Sequence, residues 1–409
     1  MSRLFIPAIH LPHGRELFKP LPYRPAVFKR ALKCCAERAL LQCGSDDVVV
    51  LPARPEENYL DFLTDAGLGT RNIIVCEGKG ENFAMDILAD KKVMAELSSH
   101  TGVTNTARIT STSFYIHLEE EREIARRLGV EGSVMHPSLT RMFNTLYFLC
   151  RLEEDLGLHH PGRMQIRSCR FSEPANRLLE KHGALFVRGN ESIGGSQVFI
   201  IRTLRDVEET VKKISRNRHI IRYFASPYLE ISASWNIQYA LENGAAVFFG
   251  ASRQILDGGT HKGNRSGEPA PKGIMEVADL IAGRLADMGA AGMIGIDLVI
   301  HEGKTYAVEI NARHNTSTPA LDVLNRISSH NKNVVFETFG MDVGHGFTFA
   351  AFVKLAGRRK LFDPAVCSGF LPYHFSASRI TGRIDVAVFA RDAIELKEMT
   401  NALRRTGSL

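Results

Sequence analysis

The chain has 409 residues, 44% of them hydrophobic and 23% charged, enough apolar material for several buried cores, which excludes disordered and collagen-like classes. A formal net charge of +6 is spread along the chain and suits small anionic ligands such as nucleotides, so no nucleic-acid partner is expected. Seven cysteines form no C-x-x-C pair and no apolar run approaches a membrane span, so the expected setting is a reducing cytoplasm, with no membrane partner and no export.

In chain order, DVVVL (47–51), a helical ENYLDFLTDAG (57–67) and NIIVC (72–76) alternate as β–α–β, which predicts a parallel α/β unit over residues 1–89. The stretch after the first of these strands, LPARPEEN, lacks G-x-G-x-x-G, so this unit is not expected to hold a dinucleotide. Helical stretches follow at 83–98 and 119–128, then one long helix across 138–156. Strands GALFVR (183–188) and SQVFIIR (196–202) flank GNESIGG. This glycine-rich loop reads as a phosphate-covering flap built on Ser192, Gly194, Gly195 and Ser196, with Arg188 supplying charge; a plain hairpin is the competing reading. A helix at 205–216, a strand RHIIRYF (218–224) and two longer strands, LEISASWNIQYAL and AAVFFGASRQIL, come next. A polar loop rich in Gly and Pro is expected over 257–271. From about 345 a further α/β piece runs to an amphipathic helix, 392–405.

The stretch IGIDLVIHEGKTYAVEIN reads as a hairpin turning at 302–304. With a three-residue loop, His301 opposes Thr305, and Ile296, Leu298 and Ile300 share an apolar face with Tyr306, Val308 and Ile310. The opposite face then sets Asp297 across from Glu309, with Asn311 two residues along. Opposed like charges destabilise a ladder unless a cation lies between them, and two carboxylates with an amide oxygen are hard ligands suited to Mg²⁺, or to Mn²⁺. Arg313, just past the strand, carries a planar fork that grips phosphate or carboxylate. A solvated face with incidental charge is the alternative. GKT at 303–305 mimics the end of a P-loop, but Leu298 stands where that motif requires glycine, and a strand follows instead of a helix.

Taken in order, the Asp90–Lys91 step, the strand ending in Arg188, the glycine loop, the strand pair near 220–240 and GIDLVI…YAVEINAR together resemble the ATP-grasp superfamily. Its members hold MgATP between two α+β subdomains and make acylphosphates. By that resemblance Asp297, Glu309 and Asn311 are the metal ligands, and Lys91 and Arg188 are the two ATP-phosphate cations. The segment 221–224, with Ile221, Tyr223 and Phe224, matches the adenine hinge, and Glu230 holds the ribose. Arg188 departs from the usual Lys, and Arg222 stands where the hinge commonly has Glu.

The flanks, ASRQILDGGTHKGN and SGFLPYHFSASRITGRIDVAVFARD, look like those of the pheganomycin-type peptide ligases. The resemblance implies an α/β and α+β multidomain chain in which a Rossmann-like pre-ATP-grasp domain (1–89) precedes the ATP-grasp fold. An N-terminal subdomain (90–218, with an insertion near 129–165), a C-terminal subdomain with the metal site (219–344) and a small C-terminal domain (345–409) follow. It also implies ATP-dependent ligation of a carboxylate and an amine, amino acid or peptide, through an acylphosphate, releasing ADP and phosphate. Loading of a carrier-protein thiol and small-molecule phosphorylation are the alternatives, and a homodimer is the base-rate expectation. Arg313 would face the acylphosphate or the incoming carboxylate. Arg253, His261 and Lys262 are candidates for the tetrahedral intermediate and the substrate carboxylate, against the plainer reading of surface cations on a solvated loop. His314, beside Arg313, reads as a packing histidine or one supporting the site's residues from behind, with tuning of the site or a role as base the alternative. No side-chain nucleophile is required, which fits a chain without a Ser-His-Asp or Cys-His pattern.

Overall fold

The computed structural model describes residues 2–7, 34–78, 82–101, 109–130, 134–191, 197–216, 220–257, 260–328, 333–357 and 360–406. Its first sheet is parallel, with β1 (Ser2–Ile6), β2 (Val48–Leu51), β3 (Ile73–Val75) and β4 (Ile109–Phe114) in the order β3-β2-β1-β4. Both faces are covered. Leu4, Ile6, Val48 and Val50 pack under the helices Phe83–Ala89, Lys91–Ser99 and Glu119–Leu128, while Phe5, Val49 and Leu51 join a core shared with the C-terminal residues. Burial on two sides is why β2 and β3 are unbroken apolar runs.

The expected boundary at 89 is corrected, because β4 pairs with β1 along its length and the helices as far as Leu128 pack on this sheet. The first unit therefore extends to about residue 130. The helical stretch 83–98 is also interrupted: Asp90 accepts from the Lys92 and Val93 amides at 2.9 and 3.2 Å and caps a second helix.

A small antiparallel sheet follows: β5 (Met164–Arg167), β6 (Leu185–Gly189), β7 (Val198–Ile201) and β8 (Arg222–Pro227), ordered β5-β8-β6-β7. Helices Ser172–His182 and Leu204–Arg216 close one face of it around Ile166, Val187, Ile201 and Tyr223. The large antiparallel sheet has eight strands: β9 (Ala233–Glu242), β10 (Ala245–Asp257), β11 (Thr260–Arg265), β12 (Gly292–His301), β13 (Lys304–Asn311), β14 (Val335–Asp342), β15 (Gly369–Tyr373) and β16 (Arg383–Ala390). They run in the order β13-β12-β9-β10-β11-β14-β16-β15.

Three further expectations change here. The loop foreseen over 257–271 contains a strand, β11, which pairs with both β10 and β14, and residues 266–271 after it are without helix or strand. The piece after 345 has no sheet of its own, because β15 and β16 extend the sheet that carries the acidic hairpin. The long helix across 138–156 is two helices, Pro137–Phe143 and Leu146–Asp155, the second capped by Thr145, which accepts from the Phe148 amide at 3.2 Å. Both lie beneath the hairpin, where Phe143, Leu149 and Leu152 share a core with Ile296, Leu298 and Ile310. Among the described residues no helix is long and apolar enough to cross a membrane.

Candidate active site

The hairpin turn contains only Glu302 and Gly303, at φ 47° and 75°, so His301 pairs with Lys304 and not Thr305. Two successive residues at positive φ match the twist of the flanking strands. That one-residue shift would by itself swap the faces of β13, but a bulge at Val308 swaps them back. Leu298 pairs with Ala307 and Asp297 with Glu309, so the acidic opposition stands. Tyr306 moves to the site face, and the apolar face consists of Ile296, Leu298, Ala307 and Ile310. Because β13 is an edge strand, carbonyls along the bulge are open to side chains. Arg163 donates to the Ala307 carbonyl and Arg188 Nη1 to that of Val308 at 3.1 Å.

Between the small and large sheets lies a cleft of about 850 Å³, with the acids at one end. Asp297 Oδ1 accepts from Asn236 Nδ2 at 2.7 Å and Gln254 Nε2 at 3.1 Å, and its Oδ2 accepts from Asn311 Nδ2 at 3.2 Å. Glu309 Oε1 is 2.5 Å from Arg188 Nη2. Arg313 donates to Asn311 Oδ1 at 2.6 Å and to the His314 carbonyl at 3.2 Å. Burial, then the charge of Glu309, push the Asp297 carboxyl up to about 6, against the opposing pull of Asn236, Arg313 and Arg188.

A divalent cation between the carboxylates removes that repulsion, so the donor set fits Mg²⁺. Asp297, Glu309 and the Asn311 amide oxygen would supply the protein ligands, leaving room for water and phosphate. Among the described residues no cluster of three His, Cys, Asp or Glu offers an all-protein cage.

Beneath Asp297 runs a buried polar network that no motif announced. Gln238 Nε2 donates to Asn236 Oδ1 and to Ser317 Oγ, both at 2.7 Å, and Thr318 Oγ1 donates to Gln238 Oε1 at 2.7 Å. Gly295 admits it, since a Cβ there would fall 2.3 Å from the Asn315 amide nitrogen. The available signal was the alternation in β9 of Ser234, Asn236 and Gln238 with Trp235, Ile237 and Tyr239, a polar face too orderly for a solvated strand.

The remaining expected residues divide. Arg188, Asp297, Glu309, Asn311 and Arg313 come together. Arg253 lines the cleft and pairs with Glu268 at 3.0 Å. His261 lines both this cleft and a second cavity, and Lys262 lines only the second, 3.9 Å from Asp257.

Of the residues expected at the adenine hinge, Phe224 lines the cleft, but Ile221 is 64% exposed and Tyr223 is buried with its hydroxyl donating to Gln197 Oε1 at 3.0 Å. Ser226, Pro227, Tyr228 and Leu229 line this part of the cleft instead, as do Phe186, Val198 and Ile200. Glu230 is exposed; its carbonyl, not its carboxylate, makes the contact, 2.9 Å from His301 Nδ1.

Lys91 does not reach the cleft. It is exposed at the start of a helix belonging to the first unit, and Arg163 and Leu146 line the cleft instead. Ser192, Gly194, Gly195 and Ser196 lie outside the described residues. His314 is a packing residue: burial first, then Arg38, pull its imidazole down to about 3, and Gln42 Nε2 lies 3.2 Å from Nδ1.

Two antiparallel sheets closing on a cleft, with opposed acids on a hairpin, arginines at their side and an apolar slot beyond, are the arrangement the ATP-grasp resemblance leads one to expect. The comparisons agree. The family model described as L-aspartate–L-methionine ligase, ATP grasp, matches residues 186–311, and the pre-ATP-grasp domain model matches 36–130. The chain belongs to the ATP-grasp ligases and carries a pre-ATP-grasp domain.

It is 23% identical over 179 residues to the carbamoyl phosphate synthase large chain of Pasteurella multocida (strain Pm70), covering 41% of this chain and 16% of that one. The match thus spans about a sixth of that relative's length. Among solved structures, the L-amino acid ligase from Bacillus licheniformis aligns with a TM-score of 0.54 at 12% identity, covering 99% of this chain and 98% of that one. N5-carboxyaminoimidazole synthetase from Staphylococcus aureus complexed with ADP aligns at 0.54 and 11% identity, covering 93% and 96%. The biotin carboxylase domain of Hydrogenobacter thermophilus 2-oxoglutarate carboxylase aligns at 0.56 and 11%, covering 98% and 89%. At these identities the likeness is one of fold.

Proposed function

We propose that the protein is an ADP-forming ligase that joins a carboxylate to an amine, activating the carboxylate as an acylphosphate. One observation carries the reading: Asp297 and Glu309 face each other across the bulged hairpin, with Arg188 and Arg313 beside them, at the polar end of a cleft whose other end is apolar. The slot between Phe186, Val198, Ile200 and Leu229 suits a nucleobase, and the phosphates would then reach toward the arginine end. Arg188 brings positive charge to those phosphates. Asp297, Glu309 and Asn311 would hold Mg²⁺, which would supply charge neutralisation at the phosphate oxygens. Arg313, its fork fixed by Asn311 and the His314 carbonyl, orients the carboxylate oxygen that attacks the terminal phosphorus, as the P–O bond to ADP breaks and ADP leaves with the electron pair. An amine then adds to the acyl carbon; the C–N bond forms, the nitrogen gives a proton to solvent, the C–O bond to phosphate breaks, and phosphate leaves with the electron pair.

The test supplies MgATP with amino acids singly and in pairs, separates ADP from AMP and searches for a new amide mass. L-Aspartate with L-methionine is the first pair to try, because the family model over 186–311 carries that description. Substrate-dependent ADP with a new amide supports the reading. AMP overturns it, and ADP with a stable phosphorylated product replaces it with a kinase.

A further inference from the structure

Ala307 and Ile310 both face the core although they are an odd number of positions apart, and residues so spaced in a regular strand lie on opposite faces. One extra residue must therefore sit between them. The apolar pattern does not choose which. With Val308 unpaired, as here, Glu309 stands across from Asp297. With Glu309 unpaired, the ladder that starts at His301 and Lys304 would run on until Asp297 met Val308, and the second carboxylate would drop out of the pair.

What distinguishes the two cases is the backbone around Val308. Ala307 offers its carbonyl to Arg163 and Val308 offers its own to Arg188, and both arginines come from outside the large sheet. Arg188 is paired with an acid of the site, Glu309. The acid that holds Arg163 is Glu153, on the helix Leu146–Asp155. Leu149 and Leu152 of that helix pack into the same core as Ala307 and Ile310, so the anchor belongs to the floor beneath the hairpin. The Glu153 side chain is 1% exposed and that of Arg163 9%. A buried ion pair gains little net stability over apolar packing, because desolvation offsets the attraction. What this pair adds is a donor fixed at the Ala307 carbonyl.

We propose that Arg163, held by Glu153, is a positioning residue of the metal site: its grip on the Ala307 carbonyl keeps the bulge at Val308 and so keeps Glu309 opposite Asp297. The inference rests on the reading of these acids as metal ligands. Arg163 lines the same cleft, but it acts through the strand and not on the nucleotide.

The test is Mn²⁺ binding to the full chain, read from the electron paramagnetic resonance signal of free Mn²⁺ with ADP present, beside calorimetric titration of ADP without metal. Burial pushes the Glu153 carboxyl up to about 7 against the pull of Arg163, so the titrations are run at about pH 8, where the pair is charged. Arg163→Lys offers one ammonium in place of a fork and should weaken Mn²⁺ at least ~10-fold. Glu153→Gln combined with Arg163→Gln removes the pair without stranding a buried charge and should do the same. Metal-free ADP affinity should be unchanged in both. Added to Glu309→Gln, Arg163→Lys should cost no further Mn²⁺ affinity, a non-additivity that a general loss of stability does not produce.

Full additivity with Glu309→Gln overturns the proposal, and so does an equal loss of metal-free ADP affinity, which marks a direct phosphate contact. Should one variant fail to fold by circular dichroism, the other decides; failure of both makes the pair an anchor of the fold alone and overturns the positioning role. No Mn²⁺ binding by the wild type removes the metal reading and the proposal with it. Wild-type binding with unchanged affinity in folded variants removes only the proposal.

Discussion

Glu309→Gln separates the charge of the acidic pair from its shape. Directly opposed residues of an antiparallel ladder sit about 5 Å apart, and unit charges at about 5 Å repel by about 3 kcal/mol at an effective dielectric constant of about 20. That repulsion, added to burial, lifts Asp297 to about 6. The unfolded chain releases the same proton near pH 4, so between about pH 4 and about pH 6 the folded state binds more protons and stability falls as pH rises. A shift of about two units sets a ceiling of about 3 kcal/mol on this decline, and because the side chain faces a solvated cleft, about 1–2 kcal/mol is expected. Glutamine keeps the oxygen that Arg188 reaches and removes the charge. The variant should therefore show a shallower decline in urea midpoint between about pH 4.5 and about pH 7, measured without Mg²⁺. Its ADP release should fall at least ~100-fold, since one anionic metal ligand is lost. Turnover within about tenfold of the wild type, or an unchanged pH slope, refutes the assignment.

Arg188→Lys should raise the KM for ATP about tenfold with little change in melting temperature, because one ammonium cannot serve both the Val308 carbonyl and Glu309 as the fork does; an unchanged KM counts against Arg188 as a phosphate contact. Gln238→Leu leaves Asn236, Ser317 and Thr318 without a shared partner, which should cost about 1–3 kcal/mol in urea unfolding. Gly303→Val forces a β-branched residue to φ 75° and should lower stability by about 1–3 kcal/mol, whereas Gly303→Asn should be nearly neutral by thermal melting.

The acidic site was legible because its signal is local: acids and apolar residues alternate on two adjacent strands, and a single register decides the chemistry. Even so, Asp297 faces Glu309 through two compensating departures, a turn one residue shorter than expected and a bulge at Val308, and the error surfaced at Tyr306 and Val308, which both line the cleft. Lys91 shows the limit of order along the chain. ITSTSF has only Ile109 and Phe114 as apolar side chains, so nothing marked β4 as a strand that claims the whole stretch around Lys91 for the first sheet. The cleft lining continues a few residues beyond the expected hinge because β8 itself runs to Pro227, and its end is fixed by pairing with β6, a long-range fact. The network under Asp297 joins β9, β12 and residues 315–318, and no single segment carries its pattern.

The continuity of the eight-stranded sheet bears on how this protein can be rebuilt. The strand carrying Glu309 and β16 belong to one hydrogen-bonded ribbon, and Phe336, Phe370 and Phe389 weld its far end to Val49 and Leu51 of the first unit. A cut near residue 345 would strip β16 from β14, leaving an eight-residue edge open to pairing with other chains and an oily face bare. The final segment therefore cannot be exchanged between relatives like a cassette. Specificity would have to be grafted by replacing side chains on an intact scaffold.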